Sequence, residues 1–271
     1  MVTGDAWEEA VALARAHPTL AVGLHLVLAA GRAVLPPAEI PLLLDRKGHL
    51  HSSPTLAGLL LQFHSKARRQ ARREIRAQLE RFRGTGLGLS QVDGHLHLHV
   101  HPVVIEALAD LARELDIPAV RLPHEEPGLA AELDGGRAGS KPLWSAVFAA
   151  LRRRAVPRLE AAGVAVADCV YGLHFTGRLD EAYFLSLVPR ISSDWTEIYC
   201  HPAFPNVSDS ESGLGEAGLR ELAALVSPRV RAAIDASGLT LTDSREAAAA
   251  RRVFSATSPK PGTTPPGRAR I

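Results

Sequence analysis

Residues 91–101 read QVDGHLHLHVH and place histidines at 95, 97, 99 and 101, just beyond Asp93. Side chains of an extended segment alternate between faces. The spacing therefore predicts His95, His97, His99 and His101 on one face, with Leu96, Leu98 and Val100 packed on the other. Imidazole nitrogen is the commonest metal ligand, and a ligating ring usually gives its second N–H to a carboxylate or another polar neighbour. One or two of these rings can reach a cation; the others, His97 among them, are better placed to orient the ligands or to contact substrate, and Asp93 is placed to accept from His95 or another imidazole. Blander readings stay open at this point: Asp93 capping the turn, or a polar strand face that binds metal adventitiously.

Further histidines occur in similar settings. His25 lies inside LAVGLHLVL, His174 in YGLHF and His201 in EIYCHP, each at or near a predicted strand end. In parallel α/β proteins ligands bind at the carboxyl ends of strands. One such histidine is more often a hydrogen-bonded core residue, but several arriving at one edge point to a site. Arg121 in AVRLP ends another predicted strand, and it reads equally as a contact to a sugar or to developing charge and as an ion-pairing arginine.

The elements that must position these residues alternate helix with strand. Residues 5–17 have helical spacing, with Asp5 as the expected N-cap and Pro18 as the stop, and LAVGLHLVL follows as a buried strand. KARRQARREIRAQLERFRGTG precedes LSQVDGHLHLHVHP, and VVIEALADLARELDIP precedes AVRLPHEEP. RRRAVPRLEAAG, DEAYFLSLVPRI and GEAGLRELAALVSPRVRAAIDASG each lead into a later strand. About six strands, each behind a helix, predict a parallel α/β sheet or barrel. Residues 1–254 are expected to form a single domain, with an irregular insertion near 29–65. The tail 255–271, rich in Pro, Ser, Thr and Gly, is expected to be disordered.

Composition narrows the functional classes. The chain has 271 residues, 46% of them hydrophobic, and its 31 basic and 29 acidic side chains leave a formal charge of +2. That balance gives no drive toward nucleic acid. The two cysteines, Cys169 and Cys200, form no CxxC pattern, so a reducing cytoplasm is expected rather than a disulfide framework. The start carries no secretory pattern, and no run approaches the roughly 18 apolar residues of a membrane span. The basic helix KARRQARREIRAQLERFR spaces Ile75, Leu79 and Phe82 as a buried stripe, so it reads as a covering helix with a solvated basic face; a membrane or nucleic-acid surface is the alternative. No nucleophile elbow, P-loop or dinucleotide fingerprint stands in a credible strand-to-helix setting.

With DGHLHLHVHP, GLHLVL and TEIYCHPAF in this order, the sequence resembles the YdjC-like carbohydrate deacetylases. PPAEIPLLLDRKGHL, AVRLPHEEP and YGLHFTGRLDEAYFLSLVPRI resemble the branch associated with hopanoid biosynthesis, and the likeness runs from residue 2 to about 245. The resemblance implies a (β/α) barrel-like fold and a divalent-metal hydrolase that removes the acetyl group from an N-acetylated amino sugar, here a hopanoid-linked N-acetylglucosamine. In that family one Asp and two His bind the metal and a neighbouring Asp is the base. His25 and His95 carry over as ligands, and His201, in the HP dipeptide with Pro202, carries over as a general acid or substrate contact. His174 is then expected on the substrate side.

The family's aspartates come from a DDFG-like strand upstream of a stretch like MVNGPA, and this chain's MVTGDA matches that later stretch. The first βα unit, roughly 30 residues, is therefore expected to be absent, and Asp5 falls on an ordinary loop position. A catalytically impaired or non-catalytic relative is one alternative. A metal-dependent phosphoesterase is another, although such enzymes need several carboxylates. The resemblance implies Mg²⁺, the residues alone favour Zn²⁺, and Mn²⁺ also suits mixed oxygen and nitrogen ligands. The expected partners are an N-acetylated sugar or glycolipid, the inner face of a membrane through peripheral contact, and a second copy in a homodimer, with no nucleic acid.

Overall fold

The structure, a computed structural model, describes residues 1–133, 141–204 and 215–257. The chain divides into two compact units. The first comprises Met1–Leu122, Leu151–Val166 and Asp243–Thr257, and the second contains Pro123–Ala150 and Ala167–Thr242.

In the first unit, α1 (Trp7–Ala16) carries Glu8 and Glu9 in its first turn and Arg15 in its last, complementing the helix dipole. Its cap differs from expectation. Ala6 occupies the N-cap position without a side-chain bond, and Asp5 instead accepts from Arg32 at 2.7 Å. Strands β1 (Val22–Leu26) and β2 (Leu89–Gly94) pair in parallel, with His25 opposite Asp93. Isolated parallel bridges from Val92 to Val120 and from Ala119 to Ala165 continue the pairing. Leu24, Leu26, Val92, Val120 and Leu159 are buried around this small sheet. Among the described residues the strands form two two-stranded parallel sheets, shorter than the alternation of the sequence implies.

Helix α2 (Pro54–Phe63) falls within the stretch expected to be irregular. Ser53 Oγ accepts from Leu56 N at 3.2 Å and Pro54 opens the helix, a start whose physics is local. Helix α3 (Ser65–Arg83) buries Ala71, Ile75, Leu79 and Phe82 as its spacing predicts. Its basic face is ion-paired rather than simply solvated: Arg72 meets Asp110 at 2.8 Å on α4 (Pro102–Leu111), Arg76 meets Glu114, and Arg73 meets Glu39. The same helix buries Glu74 and Gln78 completely. Glu74 accepts from Val34 N at 2.8 Å and Leu35 N at 3.0 Å, while Gln78 pairs with both Val27 N and Val27 O. The loop after β1 is thus tied to α3 through its backbone.

In the second unit, β3 (Cys169–Tyr171) pairs in parallel with β4 (Thr196–Ile198), and His124 makes an antiparallel bridge to Val170. Between them α7 (Glu181–Leu187) is capped by Asp180, which accepts from Tyr183 N at 2.9 Å. Before β3 come α5 (Pro127–Leu133) and the start of α6 (Lys141–Ala161), which runs on into the first unit with Pro157 inside it. The segment that reads as one helical unit after residue 215 is split by Ser227 and Pro228 into α8 (Gly215–Leu225) and α9 (Pro228–Ala236), Ser227 Oγ capping the second helix. Tyr171, Phe175, Leu179, Phe184, Leu187, Ala224, Val230 and Ile234 form the core. The last helix, α10 (Ser244–Thr257), belongs to the first unit. The rest of the expected tail, 258–271, lies outside the described residues.

Candidate active site

The carboxyl ends of β1 and β2 bring His25, Asp93 and His95 together. Because His25 and Asp93 are register partners on adjacent parallel strands, their side chains emerge on the same side, and His25 Nδ1 lies 2.9 Å from Asp93 Oδ1. A carboxylate only accepts, so in the neutral ring the proton sits on Nδ1 and Nε2 keeps its lone pair. The His95 ring lies 5.8 Å from the His25 ring, centroid to centroid, at an interplanar angle of 70°. Asp93 therefore orients His25.

The second oxygen of Asp93 is ion-paired with the Arg121 guanidinium, and both side chains are largely shielded, at 14% and 15% exposure. Burial by itself pushes the Asp93 carboxyl up. The hydrogen bond from His25 and the charge of Arg121 outweigh it and hold the group well below the usual carboxylate range. Arg121 is thus engaged by Asp93, and its carbonyl oxygen is 2.8 Å from His99 Nε2.

The expected single face of four histidines is not formed. β2 ends at Gly94, and His95–Val100 is a 3₁₀ segment in which Leu96 (φ 52°) and His97 (φ 55°) take left-handed conformations. This break ends the strand alternation, so the rings take different surroundings, although His97 and His99 remain 6.1 Å apart, centroid to centroid. His99 turns inward, 1% exposed, onto the Arg121 carbonyl, and burial brings its pKa down to about 4 against the opposing pull of Asp93 and of the bond to that carbonyl. Burial and then His99 bring His97 to about 3. His101 caps α4 through Nδ1, which accepts from Val103 N at 3.3 Å. Gly94 is required at the break, because a Cβ there would lie 2.8 Å from the His99 Cβ.

His25 and His95 are the imidazoles here that could share a cation, and the lone pair of His25 Nε2 fits that use. Among the described residues no group of three or more His, Cys, Asp and Glu side chains is arranged to hold a metal ion. The donor set would be two imidazole nitrogens, from His25 and His95.

The other expected site residues lie in the second unit. His174 Nε2 is 2.7 Å from Ser145 Oγ, and the exposed His201 packs edge-on to Tyr199 with ring centroids 5.8 Å apart. Both loops are held by buried carboxylates that the sequence reading passed over. Glu125 Oε1 accepts from Gly172 N at 3.0 Å and His174 N at 3.2 Å. Glu221, fully buried on α8, accepts from Gly177 N and His201 N, each at 2.6 Å. Glu125 Oε2 and the Tyr183 hydroxyl are buried with no hydrogen-bond partner among the described residues. Burial, then the charge of Glu125, pushes the Tyr183 phenol upward.

A family profile described as YdjC-like protein matches residues 1–236. A carbohydrate deacetylase of Geobacillus stearothermophilus is 32% identical over 250 residues, covering 91% of this chain and 84% of that protein. A carbohydrate deacetylase of Brevibacillus brevis is 40% identical over 125 residues, and that match spans 46% of its length. A chitooligosaccharide deacetylase of Yersinia pestis is 30% identical over 239 residues, covering 86% of this chain and 80% of that one. A solved structure from Enterococcus faecalis V583, a proposed cellobiose-phosphate cleavage protein, superposes with a TM-score of 0.66 at 22% identity, over 90% of this chain and 85% of the other. It shows a shared mixed α/β fold.

Proposed function

This chain belongs to the YdjC-like protein family, and on that premise we propose that it is a metal-dependent carbohydrate N-deacetylase acting on an N-acetylated amino sugar. The observation that carries the reading is the His25–Asp93–Arg121 chain of contacts beside His95 at the ends of β1 and β2. It presents one imidazole in a fixed tautomer next to a second. His25 and His95 would hold a divalent cation, Mg²⁺ by family likeness with Zn²⁺ and Mn²⁺ as the alternatives. Such a cation, when bound, lowers the pKa of a water and polarises the amide carbonyl. A barrel-like arrangement of the strands is part of the same reading.

The chain's own residues have these parts. Asp93 keeps the His25 proton on Nδ1, and Arg121 keeps Asp93 ionised. His201 is the proposed donor of a proton to the departing sugar nitrogen, and His174 is a proposed substrate contact whose ring is oriented by Ser145. For the substrate we favour a lipid-linked, hopanoid-type N-acetylglucosamine. Support comes from the branch-like segments quoted above and from α2, where Leu56, Leu59 and Phe63 are exposed at helical spacing next to Lys66 and Arg69, a face suited to peripheral contact with a bilayer. No helix of the described residues is long and apolar enough to cross a membrane.

A second reading, a relative with impaired catalysis, is favoured by the lack of a three-donor metal cluster among the described residues. One experiment separates the two. Acetate release from an N-acetylglucosaminyl lipid and from N,N′-diacetylchitobiose is measured with EDTA, then with added Mg²⁺ or Zn²⁺, for the wild type and His95→Ala. Metal-dependent release abolished by His95→Ala is the expected result. Absence of release under every condition refutes the enzyme reading.

A further inference from the structure

We infer that Glu221 is a positioning residue whose buried carboxylate fixes the backbone of the His201 loop against that of the His174 loop. This rests on the deacetylase reading, because that reading gives the two histidines their task. Glu221 occupies the buried stripe of α8 between Gly218 and Ala224, where packing alone calls for a small or apolar side chain. The side chain is 0% exposed, and burial of a carboxylate is tolerated where charge-assisted hydrogen bonds satisfy it.

Both oxygens are used, and they serve different segments. Oε1 accepts from Gly177 N, in the loop that follows β3 and carries His174. Oε2 accepts from His201 N, in the loop that follows β4. Each bond is 2.6 Å long. The paired register of β3 and β4 ends at Tyr171 and Ile198, with one further backbone bond from Tyr199 N to the Tyr171 carbonyl at 3.0 Å, so at Gly177 and His201 the sheet ladder no longer sets the distance between the two segments. The carboxylate takes over that task.

The helix backbone adds a further contact. Ala203 N donates to the Gly218 carbonyl at 3.1 Å, an approach that depends on glycine, since a Cβ at 218 would come 2.6 Å from the Ala203 Cβ. The run Gly218-Leu219-Arg220-Glu221 therefore forms a cradle for the His201 loop on one turn of α8. Glu125 acts differently. Its Oε1 takes two N–H groups of a single loop, Gly172 and His174, and so shapes that loop without linking it to the other.

The test compares the full 271-residue chain with Glu221→Gln. Glu216→Gln is the control, the same chemical change on the same helix at a side chain 90% exposed. Steady-state kinetics on N,N′-diacetylchitobiose are read alongside the ¹⁵N–¹H resonances of Gly177 and His201. Glutamine keeps the shape but offers one acceptor where two are needed. The expected result is a kcat lower by about tenfold or more, as for small misplacements of a reacting group. KM should stay within about twofold and both amides should be displaced. The melting temperature should fall below the control, because one buried N–H loses its acceptor, so kcat is taken per folded molecule at a temperature where both variants are folded.

Should Glu221→Gln fail to fold, Glu221→Asp keeps both oxygens but withdraws them, and the same fall in kcat with displaced amides is expected. A kcat equal to the control, or a loss that merely follows the folded fraction, overturns the inference. A wild type that releases no acetate from N,N′-diacetylchitobiose or from an N-acetylglucosaminyl lipid, with Mg²⁺ or Zn²⁺ added, refutes the deacetylase reading instead. The amides then decide: displacement of both in Glu221→Gln supports the link between the loops, and an unmoved resonance at either residue overturns it.

Discussion

Replacing Asp93 by Asn should destabilise the first unit by about 3 kcal/mol, because the change leaves the Arg121 guanidinium shielded and without its counter-charge. The figure follows from the surroundings of the pair. Both side chains are about six-sevenths shielded, at 14% and 15% exposure, which places the contact among buried ion pairs, where removing one partner costs about 3–5 kcal/mol. The low end applies because the amide oxygen of Asn still accepts one hydrogen bond, from His25 or from Arg121. Urea denaturation in EDTA measures it, and for a slope of roughly 2–3 kcal/mol/M the midpoint should fall by about 1 M at pH 7. The pH dependence gives a second check. A carboxyl held below its unfolded value contributes stability that is complete above the unfolded pKa of about 3.9 and is lost as pH falls toward the folded value. The gap between wild type and Asp93→Asn should therefore narrow as pH drops below about 4. An unchanged midpoint at pH 7, or a gap that persists undiminished in acid, would refute the account of Asp93 as an ionised hub.

His97 and His99 stay neutral in the fold at about 3 and about 4 while the unfolded rings take up protons near 6.5. Stability should thus be fullest above pH 6.5 and decline as pH falls toward 4, seen as a falling denaturant midpoint and a shallower decline in His97→Gln. Gly94→Ala should lower stability by about 1–3 kcal/mol, since the added methyl meets His99 and the neighbourhood must shift; calorimetry reads the loss. Glu74→Gln should cost about 1–3 kcal/mol by leaving Val34 N or Leu35 N without its acceptor, and amide hydrogen exchange at those two residues should accelerate. If His25 and His95 share a cation, titration with Zn²⁺ should raise the melting temperature of the wild type, and Asp93→Asn should weaken binding about 10–100-fold.

The sequence made some of this legible because the governing forces are local. The stripe of Ile75, Leu79 and Phe82 announces α3, and the apolar run around His25 announces β1 with its histidine near the carboxyl end. Ser53-Pro54 was an available signal for α2, outweighed by the irregular composition around it. Other features depend on distant partners. HLHLHV alternates as a strand should, and only the burial of His99 against the Arg121 carbonyl, with Gly94 making room, selects the left-handed turn at Leu96 and His97. Glu221 in LRELAAL reads as a surface residue, and the nearest hint is the small pair Gly218 and Ala224 flanking it at helical spacing. Asp5 shows the converse, a residue with the right chemistry for a cap whose nearby arginine claims it.

The buried glutamates Glu74, Glu125 and Glu221 share one habit: each grips its loop by main-chain N–H groups. A grip of that kind is indifferent to the identity of the residues it holds. Side chains at Leu173 and Pro202 could be exchanged while the path of the chain stays pinned, provided the gripped amides remain; proline at Gly177 or His201 would release it. The scaffold is thereby suited to recoding, with new substrate preferences written into the loop side chains while the helices that anchor them are left alone.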